Sequence, residues 1–363
     1  WKQWVEEQVR EHVKPDELRA EELALKKFGL LPQDYDLRQA TIDLLGEQAA
    51  AVYDHRKKRM IFVEGGPASA AALGDRLGGA DGASVMNDML LVHELSHALA
   101  DQHFDLTNFI DKAPSSDEAQ TARMTVVEGQ AMWIMLEAQL KQMGASLVNS
   151  GNMLNIVSSS MAGSMKGMFP IFDSAPLYLK QTLMFPYVGG LRFQQKAVEK
   201  YGKQGFSEVL RRPPSTTREI LHPEVWLANV KPVRPALPAF EDAKHYARLT
   251  SGTVGELDFQ ILFTQYVCEK EASRVAPLWR GGVFDLLENK QDKRAILRWA
   301  TTWENEAAAR DFFDLYQAVR AGKWRSYMPG KQAAFTLQGT GDDGAFRLVL
   351  SGSTVTGIEG LKP

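Results

Sequence analysis

Cysteine is almost absent: Cys268 is the only one in 363 residues. One thiol excludes an internal disulfide framework and any zinc site built from several thiolates. Because residues 263–268 are mostly apolar, Cys268 is expected to be a buried, inert thiol. The chain also lacks an apolar run of the ~18 residues that a membrane-crossing helix needs. Residues 153–169 are rich in Met, Ser and Gly, but Lys166 interrupts them. There is no basic excess, with 42 Lys and Arg against 45 Asp and Glu and a net charge of −3, so no nucleic-acid partner is expected. No repeat of fixed period occurs. What remains is ordinary for a globular chain, 44% hydrophobic and 24% charged, and its length points to two domains. Only seven histidines are present, yet His93, His97 and His103 fall close together.

Periodicity divides the chain. Residues 1–48 are expected to be a helical segment: Trp1, Val5, Val9 and Val13 make one apolar stripe, Pro15 suits a first helical turn followed by Asp16 and Glu17, and Gly29 is a stop. A third short helix covers about 37–45 and closes at Gly46. Residues 50–53 and 59–63 flank the polar turn Asp54-His55-Arg56-Lys57 and predict a hairpin, with the charge run Arg56-Lys57-Lys58-Arg59 solvated. A Gly/Ala-rich loop follows over 65–82, then a helix over about 84–103. Ser115-Ser116-Asp117-Glu118 offers a capping box for a helix reaching about Met143. Further helices break near Pro170, Pro186 and Pro213-Pro214. Residues 231–239 carry three prolines and read as a linker between a domain at 49–230 and a smaller α+β domain at 240–363. In the latter a helix is expected near 256–268, strands near 283–287 and 295–301, a helix near 305–321, and strands near Phe335, 346–350 and 355–358, with Asp342-Asp343-Gly344 a turn. Trp279, Trp299 and Trp303 are core candidates. Met153, Met161, Met165 and Met168 read as loose core filling or a loop. The chain starts at Trp1 rather than Met, and the expectation is a removed leader and an exported protein.

The chemistry lies in His93-Glu94-Leu95-Ser96-His97, an H-E-x-x-H match inside a helical pattern. Histidines at i and i+4 share a helix face and can reach one metal ion. Glu94, beside the first ligand, is placed to take a proton from metal-activated water. Two residues compete for a third ligand. His103 has the spacing of a longer zinc motif, but that motif needs a helix break, and Ala100 stands where glycine usually provides one. Glu128 sits on the next helix among Met124, Val126, Val127, Ala131 and Met132, where a carboxylate is costly unless paired with positive charge. It is the preferred ligand, and Gly129 with Ala131 would let its helix approach the first one.

His93-Glu94-Leu95-Ser96-His97 followed by Val127-Glu128-Gly129-Gln130-Ala131 resembles the zincin metallopeptidases, in their glutamate-ligand branch, the gluzincins. The resemblance covers roughly residues 50–145. It implies an α+β, predominantly helical fold with a small antiparallel strand region, one zinc ion, a peptide or protein substrate, and an edge strand at 59–63 that binds substrate in extended form. Gln130 and Met132 stand where several members carry a carboxylate orienting a ligand histidine; Asp101 is a candidate for that role, or simply a surface residue. Residues 93–106 and 213–223 are also similar to segments of uncharacterised bacterial proteins with the same motif. Zincins use a second electrophile on the oxyanion; His222, before Pro223, is the first candidate and Tyr187 the second. The alternatives are a structural hydrogen bond for His222 and a packed core position for Tyr187. The expected function is a zinc-dependent metallopeptidase with Glu94 as general base. The alternatives are a zinc-bearing structural or binding protein, or a zinc hydrolase acting on a non-peptide amide or ester.

Overall fold

The first helices form where capping and apolar spacing put them: Lys2–His12, Pro15–Phe28 and Leu37–Gln48. Pro15 begins the second, Asp16 and Glu17 occupy its first turn, and Gly29 ends it in the left-handed conformation at φ 90°. Val5 and Val9 bury against Ile42 of the third helix, which continues past Gly46. The structure, a computed structural model, describes residues 2–12, 14–48, 50–63, 68–69, 71–72, 79–113, 117–149, 154 and 169–362. Trp1, Val13, Ser115, Ser116 and nearly all of 64–78 and 150–168 lie outside that set.

The chain is mixed α+β, and two sheets carry its strands. A hairpin pairs β1 (Ala51–Asp54) with β2 (Arg59–Phe62), antiparallel, Tyr53 opposite Met60. Four helices follow that matter for the site: the motif helix Ala80–Phe104, the short Leu106–Asp111, the carboxylate helix Asp117–Gln142, and Leu177–Tyr201. Contrary to expectation, Pro186 lies inside the last of these rather than ending it. Pro186 lacks the amide that would bond the Thr182 carbonyl, yet the helix continues past it to Tyr201.

The second sheet is antiparallel throughout, in the order β3-β4-β5-β9-β8-β7-β6. Its strands are β3 (Tyr246–Gly252), β4 (Trp279–Asn289), β5 (Ala295–Trp303), β6 (Met328–Ala333), β7 (Thr336–Gly341), β8 (Gly344–Ser351) and β9 (Thr354–Leu361). β3 and the helix Glu269–Val275 were not expected from the sequence, and Phe335 falls on the exposed turn between β6 and β7, not in a strand. Helix Glu306–Lys323 covers one face. Trp299, Trp303, Phe312 and Tyr316 are all buried there, with Trp303 stacked on Phe312 at 4.5 Å. Cys268 is exposed, because the helix expected to carry it inward ends at Tyr266.

Residues 231–239 do not hang free between two bodies. The Val233 amide donates to the Arg280 carbonyl, and Arg298, paired with buried Asp285, donates to the Pro238 carbonyl. The proline-rich segment is thus a strap against the sheet. The N-terminal segment also packs on this sheet: Phe28 meets Phe284 edge-on at 5.4 Å, and the Lys323 ammonium donates to the Lys27 carbonyl and to buried Glu359. One hydrophobic cluster runs from Leu25 through Val126 and Phe193 to Trp299 and Phe312.

The carboxylate helix and Leu177–Tyr201 touch backbone to backbone. A Cβ on Gly190 would stand 2.3 Å from the Thr125 carbonyl oxygen, and one on Gly129 would stand 2.2 Å from the Gly190 carbonyl carbon. Gly129, expected to let its helix approach the motif helix, has Gly190 as its neighbour instead. Gly190→Ala is expected to cost at least about 2 kcal/mol in urea unfolding by overpacking. Gly46→Ala, whose Cβ meets nothing nearer than 4.0 Å, is expected to be neutral or to stabilise by up to about 1 kcal/mol. Equal effects at the two positions would contradict the crossing.

Candidate metal centre

The motif helix is long enough to present His93, His97 and Asp101 in one row, one per turn. All three are buried, as is Glu94. Leu91, Leu95 and Leu99 occupy the opposite, exposed row. The carboxylate helix crosses so that Glu128 points at the histidine row. His93 Nε2 lies 3.2 Å from Glu128 Oε2 and 3.1 Å from His97 Nε2, and His97 Nε2 lies 3.6 Å from the same carboxylate oxygen. The two imidazoles meet edge to face at 4.7 Å.

These spacings match those expected among ligands that share one metal ion. Tetrahedral ligands bonded at zinc distances stand about 3.3 Å from one another. Nitrogen and oxygen donors in this number suit zinc, and a cation between them would relieve both the facing nitrogen lone pairs and the largely buried carboxylate. His93, Glu94 and His97 present ligand atoms within 4.8 Å of one another. Glu94, however, is turned to another partner: its Oε2 accepts the Tyr53 amide at 2.5 Å. Glu128 is therefore the third donor facing the imidazoles. His103 is exposed at the end of an unbroken helix and takes no part.

The electrostatics follow from this crowding. Burial opposes charge on Glu128, but His97 and His93 outweigh it and hold the carboxyl far below its ordinary value. Burial also opposes charge on His97, and the Glu128 carboxylate overcomes it, raising the imidazole above its usual 6.5. Burial pushes Glu94 up, aided by the Glu128 charge, against the two histidines. Tyr187 lies alongside, its ring 6.5 Å from that of His93. The Glu128 charge, then burial, keeps its hydroxyl protonated well past the ordinary tyrosine range. One turn beyond Tyr187 comes Gly190, so the glycine crossing is what brings this phenol to the centre.

The other second-electrophile candidate is elsewhere. His222 Nε2 is bonded to Glu256 Oε1 at 2.7 Å, and Arg218 reaches the same buried carboxylate at 2.9 Å. Glu256 needs such partners because an isolated buried charge is costly. Segment 213–223 thus acts as a joint: Thr217 also binds Glu118 of the carboxylate helix at 2.8 and 2.9 Å. Gln130 donates to the Phe206 carbonyl and Met132 is buried in packing, so neither faces the histidines as an orienting acid.

Asp101 is not a surface residue, and its partners among the described residues do not include His93 or His97. It accepts the Tyr53 hydroxyl at 2.8 Å, the Leu106 amide at 2.9 Å and the Lys58 ammonium at 2.6 and 2.7 Å. Lys58 was expected to be solvated, and nothing in a turn sequence marks it otherwise. Arg56 pairs with Asp111 on the surface. The strand nearest the motif is also not the expected one: β1, through Tyr53, lies against Glu94, while β2 lies outside it.

A family model described as a domain of unknown function (DUF8575) matches residues 244–363, which leaves the candidate metal centre outside the match. No curated protein and no solved structure matches the chain.

The raised His97 and depressed Glu128 fix a pH signature. In metal-free protein the histidine's contribution is complete below its unfolded value near 6.5 and is lost as pH rises through its raised folded value. The carboxylate's contribution is present above 4.5 and lost as pH falls toward its depressed value. Chelator-treated protein is therefore expected to lose urea stability as pH rises past the histidine range, and zinc should reverse that slope because it binds deprotonated ligands. Glu128→Gln should flatten the metal-free slope; an unchanged slope contradicts the pairing.

Proposed function

We propose that this chain is a zinc-dependent hydrolase of zincin type, acting on peptide bonds. The observation that carries the reading is the convergence of His93 Nε2, His97 Nε2 and Glu128 Oε2 within 3.1–3.6 Å beside a separately held Glu94. A zinc ion held by those three groups would polarise a carbonyl and acidify a water.

The remaining steps belong to the side chains. Glu94, destabilised as an anion by burial, is the base that receives the water proton. With Oε2 engaged by the Tyr53 amide, Oε1 is the oxygen that faces the reaction. The proton can then pass from Glu94 to the departing amine. Tyr187, protonated and adjacent to His93, donates to the oxygen that gains charge as the carbonyl is attacked. The edge of β1 offers backbone groups to an extended substrate next to Glu94, a role that the resemblance gave to residues 59–63.

The resemblance to zincins and this donor set support peptide hydrolysis over a purely structural zinc, because a structural site has no use for a buried base beside its ligands. Glu94→Gln is expected to retain one zinc per chain and lose about 10²–10⁴-fold in kcat on a broad peptide mixture. Tyr187→Phe should lose about 10²–10³-fold with zinc intact. Zinc-loaded Glu94→Gln turning over at the wild-type rate would refute the assignment.

A further inference from the structure

Glu94 is held by a backbone amide, and that amide belongs to a residue whose side chain is tied down elsewhere. The Val63 amide donates to the Ala50 carbonyl, so the hydrogen-bonded pairs of the hairpin are 50 with 63, 52 with 61 and 54 with 59. Tyr53 opposite Met60 is a non-bonded pair, and its amide turns away from β2 toward Glu94 Oε2. Its hydroxyl runs along the motif helix to Asp101, seven residues and about 10 Å further on. One residue thus spans two turns of the helix, touching the base at one end and a buried acid at the other.

Asp101 is made tenable there by Lys58. The Asp101 side chain is 1% exposed and that of Lys58 is 54% exposed, so the cation reaches in from solvent. Its ammonium contacts both carboxylate oxygens, and with Tyr53 and the Leu106 amide it holds Asp101 below the ordinary carboxylate range despite burial. Lys58 does so from a left-handed backbone, φ 51°, which a non-glycine residue adopts at a cost. Strain and a buried ion pair at the same turn are unexpected for a solvated loop residue. A two-stranded hairpin is marginal alone, so such anchors decide where its edge sits. The other described anchors, His55 with Thr107 and Arg56 with Asp111, hold the turn to the helix Leu106–Asp111 and do not reach Glu94.

We propose that Lys58, Asp101 and Tyr53 form a positioning clamp that keeps the Tyr53 amide on Glu94 Oε2 and so aims the free oxygen of the base. Among the described hydrogen bonds and ion pairs none of the three reaches His93 or His97: Tyr53 and Lys58 belong to the hairpin, and Asp101 is the point on the motif helix to which they fasten it. The catalytic consequence rests on the hydrolase reading above, whereas the clamp itself is a structural claim.

The test uses the full chain with Tyr53→Phe, Lys58→Met and Lys58→Arg. In zinc-free protein, hydrogen–deuterium exchange of the Tyr53 amide is expected to rise about tenfold or more in the first two variants and to stay near wild type in Lys58→Arg, with helix Asp117–Gln142 unchanged in all. In zinc-loaded protein, Tyr53→Phe and Lys58→Met should lower kcat about tenfold with KM and zinc content unchanged, and Lys58→Arg should restore it. Unchanged exchange overturns the clamp, and faster exchange with unchanged kcat overturns its role in aiming Glu94. If wild type hydrolyses no peptide, the hydrolase reading falls separately, and the Tyr53 exchange alone then sustains or overturns the clamp.

Discussion

Two imidazoles and a carboxylate crowded to 3.1–3.6 Å in a buried place are costly unless positive charge sits among them. Much of the architecture around them serves to keep them there. The motif helix supplies the histidine row, and the carboxylate helix must lie close enough for a short Glu128 side chain to reach it. That helix is pressed in from behind by Leu177–Tyr201, where two glycines allow backbone contact. The same contact delivers Tyr187 to His93. The hairpin closes the other side through Tyr53, which is fastened to both Glu94 and Asp101.

The large sheet stands apart from this chemistry but is not separate from its scaffold. Glu118, in the first turn of the carboxylate helix, binds Thr217, and the neighbouring Arg218 and His222 bind Glu256 beyond the proline-rich strap. Helix Pro15–Phe28 reaches the sheet through Arg19 with Glu288 and through Phe28. The buried Lys323–Glu359 pair ties the end of that helix to the sheet's own covering helix. Arg320, fully buried, lies over the Phe346 ring at 4.3 Å, so its charge is met by aromatic faces as well as by nearby Glu359. The two halves therefore share one core, which makes the sheet a foundation for the carboxylate helix.

Some of this was legible in the residues and some was not, for physical reasons. His93, Glu94 and His97 were readable because i, i+4 spacing determines a helical face. Glu128 was readable because a carboxylate among apolar neighbours needs a partner. Hairpin, helix and tryptophan-core positions followed from local periodicity. The partner of Gly129 was not readable, since a glycine announces close approach without saying to what; the Gly189-Gly190 pair was the available signal. Lys58 was missed because a basic residue in a polar turn looks solvated until the fold places Asp101 beneath it. The pairing of His222 with buried Glu256, which favours its structural alternative, was not readable because Glu256 lies far along the chain. Pro186 misled because propensity yields to packing within a long helix, and β3 was missed because its sequence is largely polar, with Tyr246 its only buried residue.

The account turns on where a metal sits. The most direct measurement is anomalous diffraction at the zinc edge from crystals of the full chain grown with zinc. One ion is predicted, about 2.0–2.2 Å from His93 Nε2, His97 Nε2 and a Glu128 oxygen, with Glu94 outside bonding distance. Absence of an ion at this cluster, or an ion bound through Glu94 or His103 in place of Glu128, would contradict the account.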